Sequence, residues 1–201
     1  MANHTAPVQN LMNLLARLPG IGMRSAERIA FHMLKQSPED ALRLADAIRD
    51  VKEKIRHCSV CYNLTESDPC GICQDVNRDA GLVCVVEQPK DLLALEAAGS
   101  YKGVYHVLLG RIAPLEGSEP GDLTIGALMQ RLAGGQVREL ILGTNPTMEG
   151  DTTALYIQNG VIEKFPAVSV TRLARGLPTG SSIEYANKNM LADAIAGRQR
   201  V

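Results

Sequence analysis

His57-Cys58-Ser59-Val60-Cys61 and Pro69-Cys70-Gly71-Ile72-Cys73 divide the chain and decide how the rest of it reads. Two Cys-x2-Cys pairs separated by eight residues offer four soft ligands, the number and kind that a tetrahedral zinc ion takes. Tyr62 to Pro69, between the pairs, is polar and cannot build an apolar core, so a metal would stand in for one. Four thiolates leave no open coordination position, which points to one structural ion per chain rather than a Lewis-acid catalyst. The competing reading is two disulfides or idle thiols. It is disfavoured because no signal peptide is visible ahead of these residues and 201 residues can fold without covalent staples. His57 adjoins the quartet, but four thiolates already suffice, and it reads as a surface or hydrogen-bonded histidine. Cys84, within Leu82-Val83-Cys84-Val85-Val86, reads as a small buried hydrophobe.

A hydrophobic share of 45% allows a sizeable core in one or two compact units. No apolar run approaches membrane-spanning length and no lipidation motif is visible, so the expected location is the cytoplasm, with no membrane partner. The net charge of -1 gives no global reason to expect nucleic acid. Its distribution does: up to Gln36, Arg17, Arg24, Arg28 and Lys35 face Glu27 alone. With 3% aromatic residues and no Trp, an extensive base-stacking platform is not expected.

Ahead of the cysteines, Leu11, Leu14, Leu15 and Leu18 recur at helical spacing until Pro19-Gly20. Ala26, Ile29, Ala30, Met33 and Leu34 then repeat at i, i+3, i+4, i+7 and i+8 until Ser37-Pro38. In the junction, Gly20 and Gly22 let the backbone turn sharply and bring its amides close to an anion. Arg24, Arg28 and Lys35 return to one face of the second helix. This pattern resembles the helix-hairpin-helix module, which grips phosphate without reading bases. It fits equally an ordinary helical hairpin with a solvated charged face, because a lone Gly-x-Gly is weak evidence. Pro38 to His57 continues as an amphipathic helix, with Leu42, Leu44, Ala45, Ile48, Val51 and Ile55 apolar, assigned to packing and linking.

Beyond the cysteines, short apolar runs alternate with helical stretches, the signature of a mostly parallel sheet covered by helices. Strands are expected at Leu82 to Val86, Val104 to Leu109, Glu139 to Leu142 and Ala167 to Val170. Helices are expected at Lys90 to Ala98, Asp122 to Leu132 and Asp151 to Gln158, the last stopped by Asn159-Gly160. The functional edge of such a sheet lies at the carboxyl ends of its strands. Three segments fall there: Glu87 to Asp91, Gly110 to Gly121, and Gly143 to Asp151.

The first and third of these segments resemble the Toprim domain of topoisomerases, primases and nucleases. Glu87 matches the glutamate of the catalytic members, but Asn145-Pro146-Thr147 stands where they carry paired aspartates. An amide and a hydroxyl in place of two carboxylates remove the charge that anchors a hard cation, so phosphodiester cleavage is expected to be crippled or absent. Glu149 and Asp151 lie nearby and are the residues through which a metal could still be recruited. Glu87, Asp91 and Glu149 are otherwise expected as exposed carboxylates forming a docking surface for a basic protein.

Taken in order, Leu18 to Ala26, the four cysteines, Val85-Val86-Glu87, Tyr105 to Leu108, Thr144-Asn145-Pro146-Thr147-Met148-Glu149-Gly150 and Thr171-Arg172-Leu173-Ala174-Arg175-Gly176-Leu177-Pro178 resemble the RecR family of bacterial recombination mediators. The resemblance runs the length of the chain. It implies a non-enzymatic role: helping a RecA-type recombinase load onto single-stranded DNA coated by its binding protein, with RecO and RecF, as a dimer or ring tetramer. It also implies zinc on Cys58, Cys61, Cys70 and Cys73, and DNA contact by Gly20, Gly22, Arg24 and Arg28. Glu87 with Asp91, joined by Glu149, would face partner proteins. Four parts are expected: a hairpin and linking helix at 1–57, a zinc finger at 58–73, a Toprim-like α/β domain at 80–175, and an assembly segment at 176–201. Arg24 replaces a usual lysine and keeps the charge. Asn187 and Met190 replace a usual aspartate and threonine in a segment likened to a Walker B strand. With no Gly-x4-Gly-Lys-Ser/Thr in the chain, ATP hydrolysis is not expected. The alternative is a magnesium-dependent Toprim nuclease or strand-transferase using Glu87, Glu149 and Asp151.

Overall fold

The computed structural model describes residues 4–198, so the ends of the segments at 1–57 and 176–201 lie outside the described residues. Two compact units divide at Ile55 and Arg56. In the first, α1 (Ala6–Leu15) carries a proline in its opening turn, where the missing N–H costs nothing. It packs on α2 (Met23–Lys35). Met12 of α1 and Ala26 and Ala30 of α2 are buried, the alanines being small enough to let two helices approach closely. Next comes α3 (Pro38–Lys54), capped by the Ser37 hydroxyl, which accepts the Asp40 amide. None of its residues is buried: Leu42, Leu44, Ile48 and Val51 are 62%, 47%, 59% and 59% exposed, so the apolar stripe assigned to packing is uncovered.

The second unit opens with β1 (Arg56–His57) paired antiparallel to β2 (Leu64–Thr65), a two-stranded clip around the first cysteine pair. One short turn of helix, α4 (Gly71–Gln74), carries Cys73. A sheet of four parallel strands follows: β3 (Asp79–Val86), β4 (Gly103–Val107), β5 (Glu139–Leu142) and β6 (Ser169–Arg172), in the order β4-β3-β5-β6. The crossover helices are α5 (Pro89–Ala97), α6 (Ile125–Ala133) and α7 (Met148–Lys164), and α8 (Lys188–Ala196) comes last. This is the mixed α/β architecture expected from the alternating pattern.

Alternation along β3 splits the core between the two faces of the sheet. Val83 and Val85 join Leu128 and Leu132 of α6, Leu140 and Leu142 of β5, and Ile157 and Val161 of α7. Cys84 and Val86 join Leu92 of α5 with Tyr105 and Val107 of β4. Cys84 is 2% exposed, and burial pushes its thiol up to about 12, as befits a small hydrophobe. Helix α7 does not stop at Asn159-Gly160. It runs through Gly160 to Lys164, with Ile157 and Val161 of the same helix buried in the core. The last strand begins two residues later than expected, at Ser169.

His106 on β4 is fully buried. Thr124 Oγ1 donates to the Val107 carbonyl, so His106 Nε2–H donates toward Thr124, while Nδ1 is buried without a partner. Burial lowers the imidazole to about 4, and the nearby Arg131 acts in the same direction. A base harder to protonate when folded takes up protons preferentially when unfolded. Stability therefore falls as pH drops from the unfolded value of 6.5 toward 4, by on the order of 3 kcal/mol. Urea unfolding across that window should show this slope, and His106→Gln should flatten it.

Candidate metal centre, basic hairpin and sheet edge

The four cysteines converge from the β1–β2 clip and the start of α4. Cys58, Cys61 and Cys70 are buried and Cys73 is partly so. Their sulfur atoms all lie within 4.8 Å of one another. Cys58 Sγ is 3.9 Å from Cys73 Sγ, and Cys61 Sγ is 3.5 Å from Cys70 Sγ. A tetrahedron with Zn–S bonds of ~2.3 Å has edges of about 3.8 Å, so the donor set fits zinc without rearrangement. The Cys70 amide donates to Cys58 Sγ, and Asp68 Oδ1 accepts the Ser59 amide, orienting the ligands from outside. His57 takes no part: its Nδ1 lies 3.1 Å from the Tyr62 carbonyl oxygen.

In the hairpin, Gly20 sits at φ +79, a left-handed conformation that favours glycine, and Gly22 is the N-cap of α2. Nothing lies within 4 Å of where a Cβ would stand on either, so the turn is open to an approaching group. Arg17, Arg24, Arg28 and Lys35 are all exposed, and none makes an ion pair with another described residue.

At the carboxyl edge of the sheet, Glu87 follows β3. The sequence reads it as an exposed acid, but it is 4% exposed. Its Oε1 accepts the Asn145 amide and its Oε2 accepts Asn145 Nδ2, both at 2.8 Å. Asp91 is also engaged locally: its Oδ2 accepts the Gln88 amide in a capping box that starts α5. Glu149, in the first turn of α7, is half-buried and makes no ion pair with a described residue. Asp151 is held by Arg172 and Arg175. Arg175 first, and then Arg172, holds its carboxyl below the usual range against the opposing effect of burial. The arginines flank the end of β6, and their spacing of three after an apolar strand was the available signal for this clamp. Glu87, Glu149 and Asp151 do not meet as a metal-binding cluster among the described residues, where the four cysteines do. Asn187 caps α8 by accepting the Met190 amide, a role an aspartate would fill equally.

The architecture is that of a Toprim protein with a zinc finger and a DNA-binding helical hairpin. Family models match residues 8–52 as the helix-hairpin-helix of RecR, 55–75 as the four-cysteine zinc finger domain of RecR, and 81–174 as a Toprim domain. Proteins described as "Recombination protein RecR" align along the chain. That of Rhodopirellula baltica is 55% identical over 201 residues and that of Pelotomaculum thermopropionicum 51%, each covering all of both chains. That of Staphylococcus aureus is 46% identical over 196 residues, 98% of each chain. The chain belongs to the RecR family of recombination proteins, and its Cys58, Cys61, Cys70 and Cys73 hold one structural zinc.

Elemental analysis should give one zinc per chain, and Cys61→Ser or Cys70→Ser should lose the metal and lower the thermal midpoint. At the sheet edge, Gly150 in α7 is a second sensitive point. An added Cβ would collide with the Asn145 carbonyl and approach Glu87 Oε1 to 2.8 Å. Gly150→Ala, stabilising in an ordinary helix interior, should here cost about 1–3 kcal/mol of unfolding free energy in urea.

Proposed function

We propose that the chain is a non-enzymatic recombination mediator that helps a RecA-type recombinase load onto single-stranded DNA coated by its binding protein, in gap repair and homologous recombination. RecO and RecF are its partners, and it works in the cytoplasm, on the nucleoid when bound to DNA. The observation that carries this reading is that Asn145 donates to both oxygens of Glu87, the one glutamate a catalytic member would lend to a metal. Family membership supports the recombination role.

In this reading Gly20 and Gly22 admit the sugar-phosphate backbone, and Arg24 and Arg28 neutralise it without reading sequence. Asp91 and Glu87 shape the docking side of the Toprim unit from within, and Glu149 faces the partner. The division is 1–57, 58–73, 80–175 and 176–201, the last serving assembly into a dimer or ring tetramer. The competing magnesium-dependent nuclease would need Glu87 and Asp151 as ligands, and both are committed to other side chains.

Arg24→Ala with Arg28→Ala should weaken binding to unrelated single strands about equally. It should also reduce the slope of log affinity against log salt by about 1.4. Unchanged affinity at every salt concentration would remove the hairpin from the DNA contact. Glu149→Lys should abolish capture of RecO and leave DNA binding alone. Labelled DNA incubated with magnesium or manganese should stay intact, and cleavage lost on Glu87→Gln would restore the nuclease.

A further inference from the structure

We infer that Leu115 and Met148 form the apolar half of the docking face and receive an apolar side chain carried on a basic segment of the partner protein. This rests on the docking reading above and extends it from charge to packing. Leu115 is 104% exposed and Met148 is 82% exposed. A single exposed apolar residue is ordinary. These two lie together on a cleft of about 230 Å³ that Ile112 and Ala113, both buried, help to line.

Both side chains are presented from stiff backbone. Leu115 sits in the 3-10 turn Pro114–Glu116, closed by the Glu116 amide on the Ala113 carbonyl and by the bridge between Ala113 and Ser118. Met148 opens α7, whose Thr147 hydroxyl accepts the Gly150 amide. The Ile112 amide donates to Thr153 Oγ1 on α7, tying the loop to the helix. With the backbone under the pair already held, covering it has only the two side chains left to order.

Charge selects the occupant. Glu116 and Glu149 line the same cleft, and no lysine or arginine does. Arg111 shares the Glu116 carboxylate, while Glu149 makes no ion pair with a described residue. A partner segment offering a leucine-like side chain beside a lysine or arginine satisfies both halves of the cleft.

Titration of purified RecO against the Leu115→Ser/Met148→Ser double variant at low and high salt tests the inference. Affinity should fall about tenfold or more at both salt concentrations, as for a truncated anchor. Glu149→Gln should lose affinity mainly at low salt. Leu115→Met, with Met148 intact, should keep most of the parent's affinity. DNA affinity and the urea midpoint of the double variant should match the parent, because both residues are exposed. If RecO binds parent and double variant alike, the apolar half is wrong and the docking reading stands. If RecO does not bind the parent chain, both fall. Lower self-association of the double variant in sedimentation would make this a contact between copies and overturn the inference.

Discussion

A buried carboxylate sits where β3 meets the turn into α7. Without partners, its burial would cost several kcal/mol, and Asn145 offsets that with a backbone amide and a side-chain amide, one on each oxygen. The two residues are 58 apart in sequence, so this single contact fixes the end of one strand against the exit of another. The rest of the turn is built around it. Gly150 must lack a side chain to let the Asn145 carbonyl in, Thr144 Oγ1 donates to the Gly150 carbonyl, and Thr147 caps the helix. A divalent cation entering here would have to displace two donors and would find an amide where a second carboxylate is needed.

Zinc acts on the same edge through β4. The Cys61 carbonyl accepts the Val107 amide, and Tyr62 meets His106 edge-on with ring centroids 5.4 Å apart. One residue further on, the Leu108 amide donates to the Val86 carbonyl, next to Glu87. The knuckle has almost no apolar core beyond its own sulfurs and Ile72, so its order is supplied by the metal. A segment ordered by four thiolates thereby braces the strand that ends beside Glu87.

Much of this was legible because the pattern is local. The cysteine spacing gave the ligand set, β5 appeared where Leu140, Ile141 and Leu142 stand, and the gap left by the paired aspartates was visible at Asn145. What failed was long-range. Glu87 looked exposed because an acid after a strand usually is, and only a partner 58 residues away buries it. Asn159-Gly160 looked like a helix stop because glycine weakens helices, but Ile157 and Val161 are buried on either side of it and packing outweighs propensity. In α3 the apolar stripe was read correctly as amphipathic, while periodicity carries no information about what, if anything, covers it. The β1–β2 clip, two residues per strand, is too short for alternation to register.

Up to Gln36, Arg17, Arg24, Arg28 and Lys35 face Glu27 alone, an asymmetry that a net charge of -1 conceals. A polyanion and a basic protein cannot share one surface, since whichever charge attracts the first repels the second. Arg24 and Arg28 in the hairpin unit make no ion pair with a described residue, whereas Arg172 and Arg175 in the Toprim unit converge on Asp151. That clamp does two things at once. It engages the carboxylate of Asp151, and it ties cations that would otherwise oppose a basic partner to an acid two residues from Glu149. Glu149 makes no ion pair with a described residue, and the cleft it lines is apolar apart from Glu116 and Thr152. Docking on such a face would draw orientation from one charge and adhesion from covered surface. It would therefore be less sensitive to salt than a phosphate contact made through Arg24 and Arg28, where counterion release contributes.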